Sequence, residues 1–226
     1  MANVSSSNGI EKYPKLRFQG YRDEWSEICF RDLFSYIPNN TLSRAELNYE
    51  SGEYKNVHYG DVLIKYGPVL DASTEEIPFI SEYKEDKRNY LLRDGDIIIA
   101  DTAEDETVGK ATEIINIGEQ KIVSGLHTIA CHPRIEIAQT YLGFYINSKK
   151  YHSQLYSLMQ GVKVLSISKS NIEGTIIRYP NPIEQKKICT LLNLLQNRIV
   201  KQQKTIEFLK KYKRGLNIRL LSEIPM

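Results

Sequence analysis

The most regular pattern of apolar residues lies near the C-terminus. Ten positions spaced alternately by four and three residues run from Ile188 to Leu220, and only Gln202 and Lys213 among them are polar. This spacing is typical of a coiled-coil seam. The apolar seam residues are Ile188, Leu192, Leu195, Ile199, Ile206, Leu209, Leu216 and Leu220.

A helix over residues 183–221 is roughly 58 Å long at 1.5 Å per residue. One domain of this size does not cover such a length, so the seam predicts a partner helix. The alternative is a single amphipathic helix that lies across its own domain. Pro182, followed by Glu184 and Gln185, marks the predicted start of the helix.

The preceding residues show short apolar runs introduced by turn signals. Gly95-Asp96 precedes an apolar run and predicts a strand at 97–100, and Gly60-Asp61 predicts a strand at 62–65 in the same way. Further strands are expected within 111–118, 121–133 and 175–179, and a helix within 136–159. The pattern predicts an α+β fold: a mixed α/β domain with a barrel-like or mixed sheet over 1–182, followed by one long coiled-coil helix over 183–226.

The segment "YPKLRFQGYRDEW" at 13–25 combines polar residues with isolated large apolar ones. It predicts a loop whose anchors, Pro14, Leu16, Phe18 and Trp25, insert into the core.

Charge is distributed unevenly along the chain. The net charge is only +2, but the stretch from Lys186 to Arg219 has ten basic residues and one acidic residue, Glu207. This asymmetry indicates a polyanion or an acidic partner near the C-terminus. Tyrosine is also frequent, with 15 residues against 6 Phe and 1 Trp. Its stacking face and hydrogen-bonding tip suit interaction surfaces, although half-buried strand positions also use tyrosine.

The three cysteines, Cys29, Cys131 and Cys189, are odd in number and widely spaced. They predict free thiols in a reducing, cytoplasmic environment. The N-terminal residues show no signal-peptide pattern, and no apolar run is long enough for a membrane span.

One set of residues suggests catalysis. Asp71, Glu82 and Lys84 could form a Mg²⁺-dependent nuclease site, with two acids on the metal and a lysine near the attacking water. Acid-x-Lys triplets arise easily in a chain with 26% charged residues, and this one lies in a polar stretch that predicts a loop. The nuclease therefore stays an alternative to a binding function, as does a coiled-coil scaffold that does not bind DNA.

Three stretches resemble a known family. The opening "YPKLRFQGYRDEW", the strand "LLRDGDIIIADTA" and the run "MQGVKVLSISKSNIEGTIIRYPNPIEQKKICTLLNLL" are similar to the specificity subunits of type I restriction–modification systems. The resemblance covers nearly the whole chain, and the junction at 182–185 with its following helix is its most specific part. A complete subunit of that family has two recognition domains and two long helices, so this chain resembles half of one.

The resemblance implies a function without catalysis or a cofactor. The target recognition domain would recognise a half-site in double-stranded DNA, and the helix would pair antiparallel with a second copy or with another half specificity subunit. Methyltransferase (modification) subunits and a restriction–translocase subunit would dock on this scaffold. No metal site and no membrane partner is expected.

Recognition of DNA requires cations for phosphates and polar or aromatic tips for base edges. The candidates are positions where both kinds of residue are adjacent in the sequence. They are Tyr54, Lys55, Lys65, Tyr66, Arg88, Asn89, Lys163, Ser166, Ser168 and Lys169.

Overall fold

The structure is a computed structural model that describes residues 2–3, 14–82 and 90–221. It divides into two compact units, Met1–Lys186 and Lys187–Met226. The strands are β1 (Ala2–Asn3), β2 (Leu16–Arg17), β3 (Ser26–Cys29), β4 (Phe34–Ile37), β5 (Leu47–Asn48), β6 (Tyr54–Val57), β7 (Val69–Asp71), β8 (Phe79–Ile80), β9 (Ile97–Ala100), β10 (Thr102–Ala103), β11 (Ala111–Ile115), β12 (Lys121–Ser124), β13 (Thr128–Pro133), β14 (Leu165–Ser166) and β15 (Ile176–Tyr179). The helices are α1 (Phe30–Leu33), α2 (Tyr59–Ile64), α3 (Tyr141–Ile146), α4 (Lys149–His152), α5 (Lys169–Ile172) and α6 (Pro182–Leu221).

A five-stranded mixed sheet forms the centre of the first unit, in the order β4-β13-β9-β11-β7. Its neighbours are antiparallel except β11 and β7, which are parallel. The central strand β9 has only buried residues, as expected for a strand covered on both faces. Gly95, with φ +87°, supplies the turn that leads into this strand.

A second sheet has four strands in the order β12-β6-β8-β5 and is also mixed. The main core cluster combines residues from both sheets, such as Ile98 and Ile114 from the first and Val57 and Ile122 from the second, together with Val62 of α2. The α+β architecture with mixed sheets followed by one long helix is therefore confirmed. Within the described residues the sheets stay open and do not close into a barrel.

Helix α3 packs very closely against the edge of the five-stranded sheet. A Cβ atom on Gly143 would lie 2.1 Å from the carbonyl oxygen of Pro68, so only glycine fits there. The buried carboxylate of Glu113 on β11 accepts hydrogen bonds from the backbone N–H of Thr140 at 2.5 Å and of Gly143 at 2.9 Å. Because burial outweighs these bonds, the pKa of Glu113 is raised to about 7.

The strand predicted at 62–65 is wrong. Residues 59–64 form α2, because His58 caps its first turn by accepting a hydrogen bond from Gly60 N at 3.0 Å. The carboxylate of Asp61, in that turn, receives two hydrogen bonds from the guanidinium of Arg44. A Gly-Asp pair therefore introduces a helix here and a strand at Gly95-Asp96.

The single helix predicted within 136–159 is also wrong, since α3 and α4 are separate. Between them, the side chain of Asn147 bonds to the backbone N–H and carbonyl of Ala111 on β11, at 3.1 and 2.7 Å. The hydroxyl of Ser148 then accepts a hydrogen bond from Tyr151 N and starts α4. Local side-chain bonding to the backbone thus competes with helix continuation.

Helix α6 begins as predicted, and its first turn is fixed by buried polar residues. Asn181 Oδ1 accepts a hydrogen bond from Glu184 N at 3.0 Å and satisfies a free donor of the first turn. Gln185 accepts a hydrogen bond from Ala138 N and donates one to the carbonyl of Pro180. The whole helix has 40 residues.

The expected anchors of the opening segment are partly wrong. Leu16 is 55% exposed, whereas the neighbouring Arg17 is buried. The reason is that the guanidinium of Arg17 forms an ion pair with the buried carboxylate of Glu184.

The three cysteines are free thiols. Across the described ranges, the structure contains no helix that combines the length and apolarity needed to span a bilayer.

Candidate nucleic-acid interface

A short two-stranded ribbon carries the most exposed apolar residue of the described first unit. Strands β10 and β14 pair antiparallel, with Thr102 opposite Ser166 and Ala103 opposite Leu165. Residues 160–166 form a tight hairpin, because Gln160 and Ser166 exchange two backbone hydrogen bonds of 2.9 and 2.8 Å. We call the β10–β14 pair together with residues 160–166 the ribbon.

The turn of the ribbon requires a glycine. Gly161 has φ +122°, and a Cβ atom there would lie 1.9 Å from the carbonyl oxygen of Val164. The geometry places Val162, Lys163 and Val164 at the tip, where Val162 is 99% exposed and Val164 is 50% exposed. The tip is therefore a defined structure that presents aliphatic side chains to solvent.

Polar side chains gather at the base of the ribbon. Thr102 Oγ1 donates to Asp101 Oδ1 at 2.8 Å, and His127 Nδ1 lies 3.4 Å from both Thr102 Oγ1 and Asp101 Oδ1. The ring of Tyr59 meets His127 edge-on with centroids 5.4 Å apart. Hydroxyl, carboxylate and imidazole groups are all able to bond to base edges.

Two further predicted residues follow the ribbon directly. The hydroxyl of Ser168 caps α5 by accepting from Asn171 N at 3.2 Å, so this side chain has a structural role. The ammonium of Lys169 lies 5.4 Å from the ring centre of Tyr36, whose hydroxyl donates to the carbonyl of Lys169. Tyr36 thus holds an exposed cation near the ribbon.

A second group of predicted residues lies on the four-stranded sheet. Lys55 Nζ donates to Gln120 Oε1 at 2.6 Å and lies over the ring of Phe79. The ring of Tyr54 packs under the ammonium of Lys121, 5.2 Å from its centre. The parallel pairing of β12 with β6 places Lys121 opposite Tyr54. The sequence does not predict this contact, because pairing between distant strands leaves no local signal.

The remaining predicted residues differ in accessibility. Lys65 Nζ is exposed but donates to the carbonyl of Glu76 at 2.5 Å and lies over the ring of Tyr49. Tyr66 is only 2% exposed and belongs to the core cluster, and burial raises its pKa. A core tyrosine does not reach a base, so the structure does not support Tyr66 as a DNA contact. Arg88 and Asn89 lie outside the described residues.

The eight predicted residues that the structure describes therefore do not form one continuous site. Lys163, Ser166, Ser168 and Lys169 are close together on and beside the ribbon, whereas Tyr54 and Lys55 belong to the four-stranded sheet. Sequence reasoning missed Thr102 and His127, which reach the base of the ribbon from distant parts of the chain.

The predicted seam of α6 is exposed at its apolar positions from Leu195 onward. Leu195, Ile199, Ile206, Leu209, Leu216 and Leu220 are 38–71% exposed, and Ile188 and Leu192 are half-buried. Exposed aliphatic residues at this spacing are typical of a helix that associates with another helix.

The residues of the alternative nuclease site are only partly described. Asp71 Oδ1 accepts hydrogen bonds from the backbone N–H and the hydroxyl of Ser73, at 3.0 and 2.6 Å. Glu82 follows at the end of a described stretch, and Lys84 lies outside it. Over 14–82 and 90–221, no three His, Cys, Asp or Glu side chains cluster in a way that could hold a metal ion.

Comparison with known proteins gives consistent matches. The family model "Type I restriction modification DNA specificity domain" matches residues 22–225. A putative type I restriction enzyme MjaX specificity subunit from Methanocaldococcus jannaschii is 22% identical over 219 residues, which are 94% of this chain and 49% of that relative.

Solved structures show the same fold. The S subunit of a type I restriction–modification system from M. genitalium is similar with a TM-score of 0.58 at 14% identity, over 92% of this chain and 48% of that one. A chain from a structure concerning complex assembly and conformational transition of the type I R-M system gives 0.58 at 16% identity, over 91% and 47%. The chain thus spans about half the length of the relatives it matches.

Proposed function

Because the chain belongs to the family of type I restriction modification DNA specificity domains, we propose that it is a half-length sequence-recognition subunit of a type I restriction–modification complex. The family match over residues 22–225 is the observation that carries this proposal. The chain spans about half the length of a relative named as a specificity subunit, which is the share expected of one recognition domain with one helix.

Residues 1–182 act as the target recognition domain and bind one half-site of a bipartite DNA target. We assign its DNA contacts first to the ribbon and the start of α5. Lys163 and Lys169 are exposed cations for phosphates, and Ser166 and Thr102 present hydroxyls at the ribbon. Lys55 and Lys65 are weaker candidates, because both ammonium groups already bond within the chain. Tyr54 is also a weaker candidate, because its ring already packs under the ammonium of Lys121.

Residues 183–226 act as a dimerisation and spacer helix. The exposed seam of α6 pairs antiparallel with a second copy of the chain or with another half specificity subunit. Association removes the aliphatic seam residues from water and gives a scaffold with two recognition domains.

The scaffold determines which DNA sequence the complex binds. It catalyses no reaction itself and needs no cofactor. Methyltransferase subunits dock on it and modify adenines within the target, and a restriction–translocase subunit completes the complex. We place this complex and its double-stranded DNA target in the cytoplasm.

A binding titration of the full chain against duplex DNA tests the proposal. We expect sequence-specific binding whose affinity falls steeply with salt, since phosphate contacts release counterions. No binding, or a flat salt dependence, would favour the scaffold without DNA affinity. Mg²⁺-dependent cleavage by the chain alone, lost in Asp71→Asn, would favour the nuclease.

A further inference from the structure

The tip of the ribbon combines features that a phosphate-contacting loop does not need. Val162 is 99% exposed, although burying a valine side chain is worth roughly 1.5 kcal/mol or more. Gly161 permits the tight turn, and the two Gln160–Ser166 backbone hydrogen bonds close it. A hydrogen-bonded turn that presents an aliphatic side chain to solvent indicates a contact with an apolar group of a partner.

The charges around the tip argue against a position on the DNA backbone. Strand β10 runs directly into the exposed acidic turn Glu104–Asp105–Glu106. Because Ala103 pairs antiparallel with Leu165, this turn and the tip lie at the same end of the ribbon. Three acids outnumber the one lysine of the tip, Lys163, so a row of phosphates is an unfavourable neighbour for this end of the ribbon, while Lys163 can still pair with one phosphate.

The two-stranded form and the acceptor groups of the ribbon fit the floor of the major groove. That groove is about 12 Å wide and accommodates a two-stranded β-ribbon, whereas the minor groove is about 6 Å wide. Carboxylates accept hydrogen bonds from the amino group of cytosine, and aliphatic side chains contact the 5-methyl group of thymine. The long side chain of Lys163 can still reach a phosphate at the groove wall.

We propose that the ribbon enters the major groove of the half-site and that Val162, supported by Val164, recognises the 5-methyl group of a thymine. This inference rests on the proposed function and deepens it, because it names residues that determine sequence and the base group they contact. Every target of an adenine methyltransferase contains at least one thymine, opposite the methylated adenine.

The test removes the methyl group from the DNA and the side chain from the protein. The probe is a duplex with the motif obtained from adenine methylation, in which each thymine in turn is replaced by deoxyuridine. The full chain is compared with Val162→Ala and Val164→Ala, and with Ile64→Ala on α2, which removes another exposed aliphatic side chain, 86% exposed. Both tip side chains are exposed, so these variants are expected to fold normally.

At one thymine we expect deoxyuridine to weaken binding by the unmodified chain about fourfold, the equivalent of one methyl group at about 0.8 kcal/mol. Val162→Ala should lose most of this dependence, whereas Ile64→Ala should keep it. If specific binding persists but no thymine shows this coupling to Val162, the inference is wrong and the proposed function stands. If Val162→Ala weakens binding to a protein subunit and leaves DNA binding unchanged, the tip is a protein contact and the inference is wrong. If the unmodified chain shows no sequence-specific DNA binding, both proposals are overturned.

Discussion

The guanidinium of Arg17 donates two hydrogen bonds to the carboxylate of Glu184, at 2.7 and 2.8 Å, and both side chains are almost fully buried. The pair joins strand β2 to the first turn of α6, although 167 positions separate the two residues. Both residues belong to segments that resemble the specificity subunits, and this contact links the two segments in the fold.

Breaking this ion pair on one side is expected to destabilise the first unit strongly. Arg17→Met leaves the Glu184 carboxylate buried without its partner, which costs about 3–5 kcal/mol of unfolding free energy. Replacing both residues, as in Arg17→Met with Glu184→Leu, should recover much of that loss. Urea denaturation measures both effects.

The exposed pair of Lys121 and Glu53 provides the control. Lys121→Met should cost less than about 1 kcal/mol, because solvent screens that interaction. Equal effects at the two sites would mean that burial does not determine the strength of the Arg17–Glu184 contact.

Glu113 predicts a pH dependence of stability. Its pKa is about 7 in the folded protein against an ordinary value of 4.5, because the carboxyl is desolvated. The folded state therefore binds more protons than the unfolded state between these values. The resulting stabilisation is complete below pH 4.5 and is lost as pH rises through 7, by at most about 3 kcal/mol.

Urea denaturation between pH 4.5 and 8 measures this dependence. Glu113→Gln does not titrate, so the stability difference between the unmodified chain and the variant should shrink as pH rises. A difference that stays constant over this range would show that Glu113 keeps an ordinary pKa.

The seam of α6 predicts the oligomeric state. Leu195→Glu with Ile199→Glu should produce monomers at tens of micromolar, because association would bury unpaired charge. Leu194→Glu is the matched control, since Leu194 is exposed and adjacent but lies outside the seam. Light scattering distinguishes the species. A monomeric unmodified chain would rule out the homodimer and leave pairing with a different half subunit.

Lys163 and Lys169 predict the salt dependence of DNA binding. If each contacts a phosphate, Lys163→Ala and Lys169→Ala should weaken binding to all sequences and reduce the slope of log affinity against log salt by about one. Lys163→Arg preserves the charge and should preserve the slope. Unchanged slopes in both alanine variants would remove these residues from the interface.

The sequence predicts the elements whose stabilisation is local. The strand after Gly95-Asp96 and the start of α6 follow from turn chemistry and apolar spacing, and the structure confirms both. Burial of Arg17 instead of Leu16 was not predictable, because it depends on Glu184 at the other end of the domain. Helix α2 replaced a predicted strand for a similar reason, since Arg44 and His58 stabilise its first turn.

The candidate interface was predictable only in part. Adjacent cations and polar residues drew attention to residues 160–169, which include the ribbon hairpin. The contribution of Thr102 and His127 depends on strand pairing between distant segments, and pairing register is not visible in one sequence. Tyr66 is predicted because it is adjacent to Lys65, but its position after α2 places it in the core.

In the proposed assembly, a helix pair holds two recognition domains apart. A homodimer has two-fold symmetry, so its target is expected to be two inverted half-sites. The 40-residue α6 is about 60 Å long, which allows at most about 17 base pairs between domain centres. Deleting one heptad, such as residues 199–205, keeps the seam register and shortens the spacer by about 10 Å, or about three base pairs.

Sequencing of methylated adenines tests this claim most directly, in cells with the chain, without it, and with the heptad deletion. We predict a short half-site, a gap of unspecified bases and the inverted half-site, which disappear without the chain. The deletion variant should keep both half-sites and shorten the gap by about three base pairs. A continuous motif, a gap unaffected by the deletion, or methylation that does not depend on the chain would contradict the account.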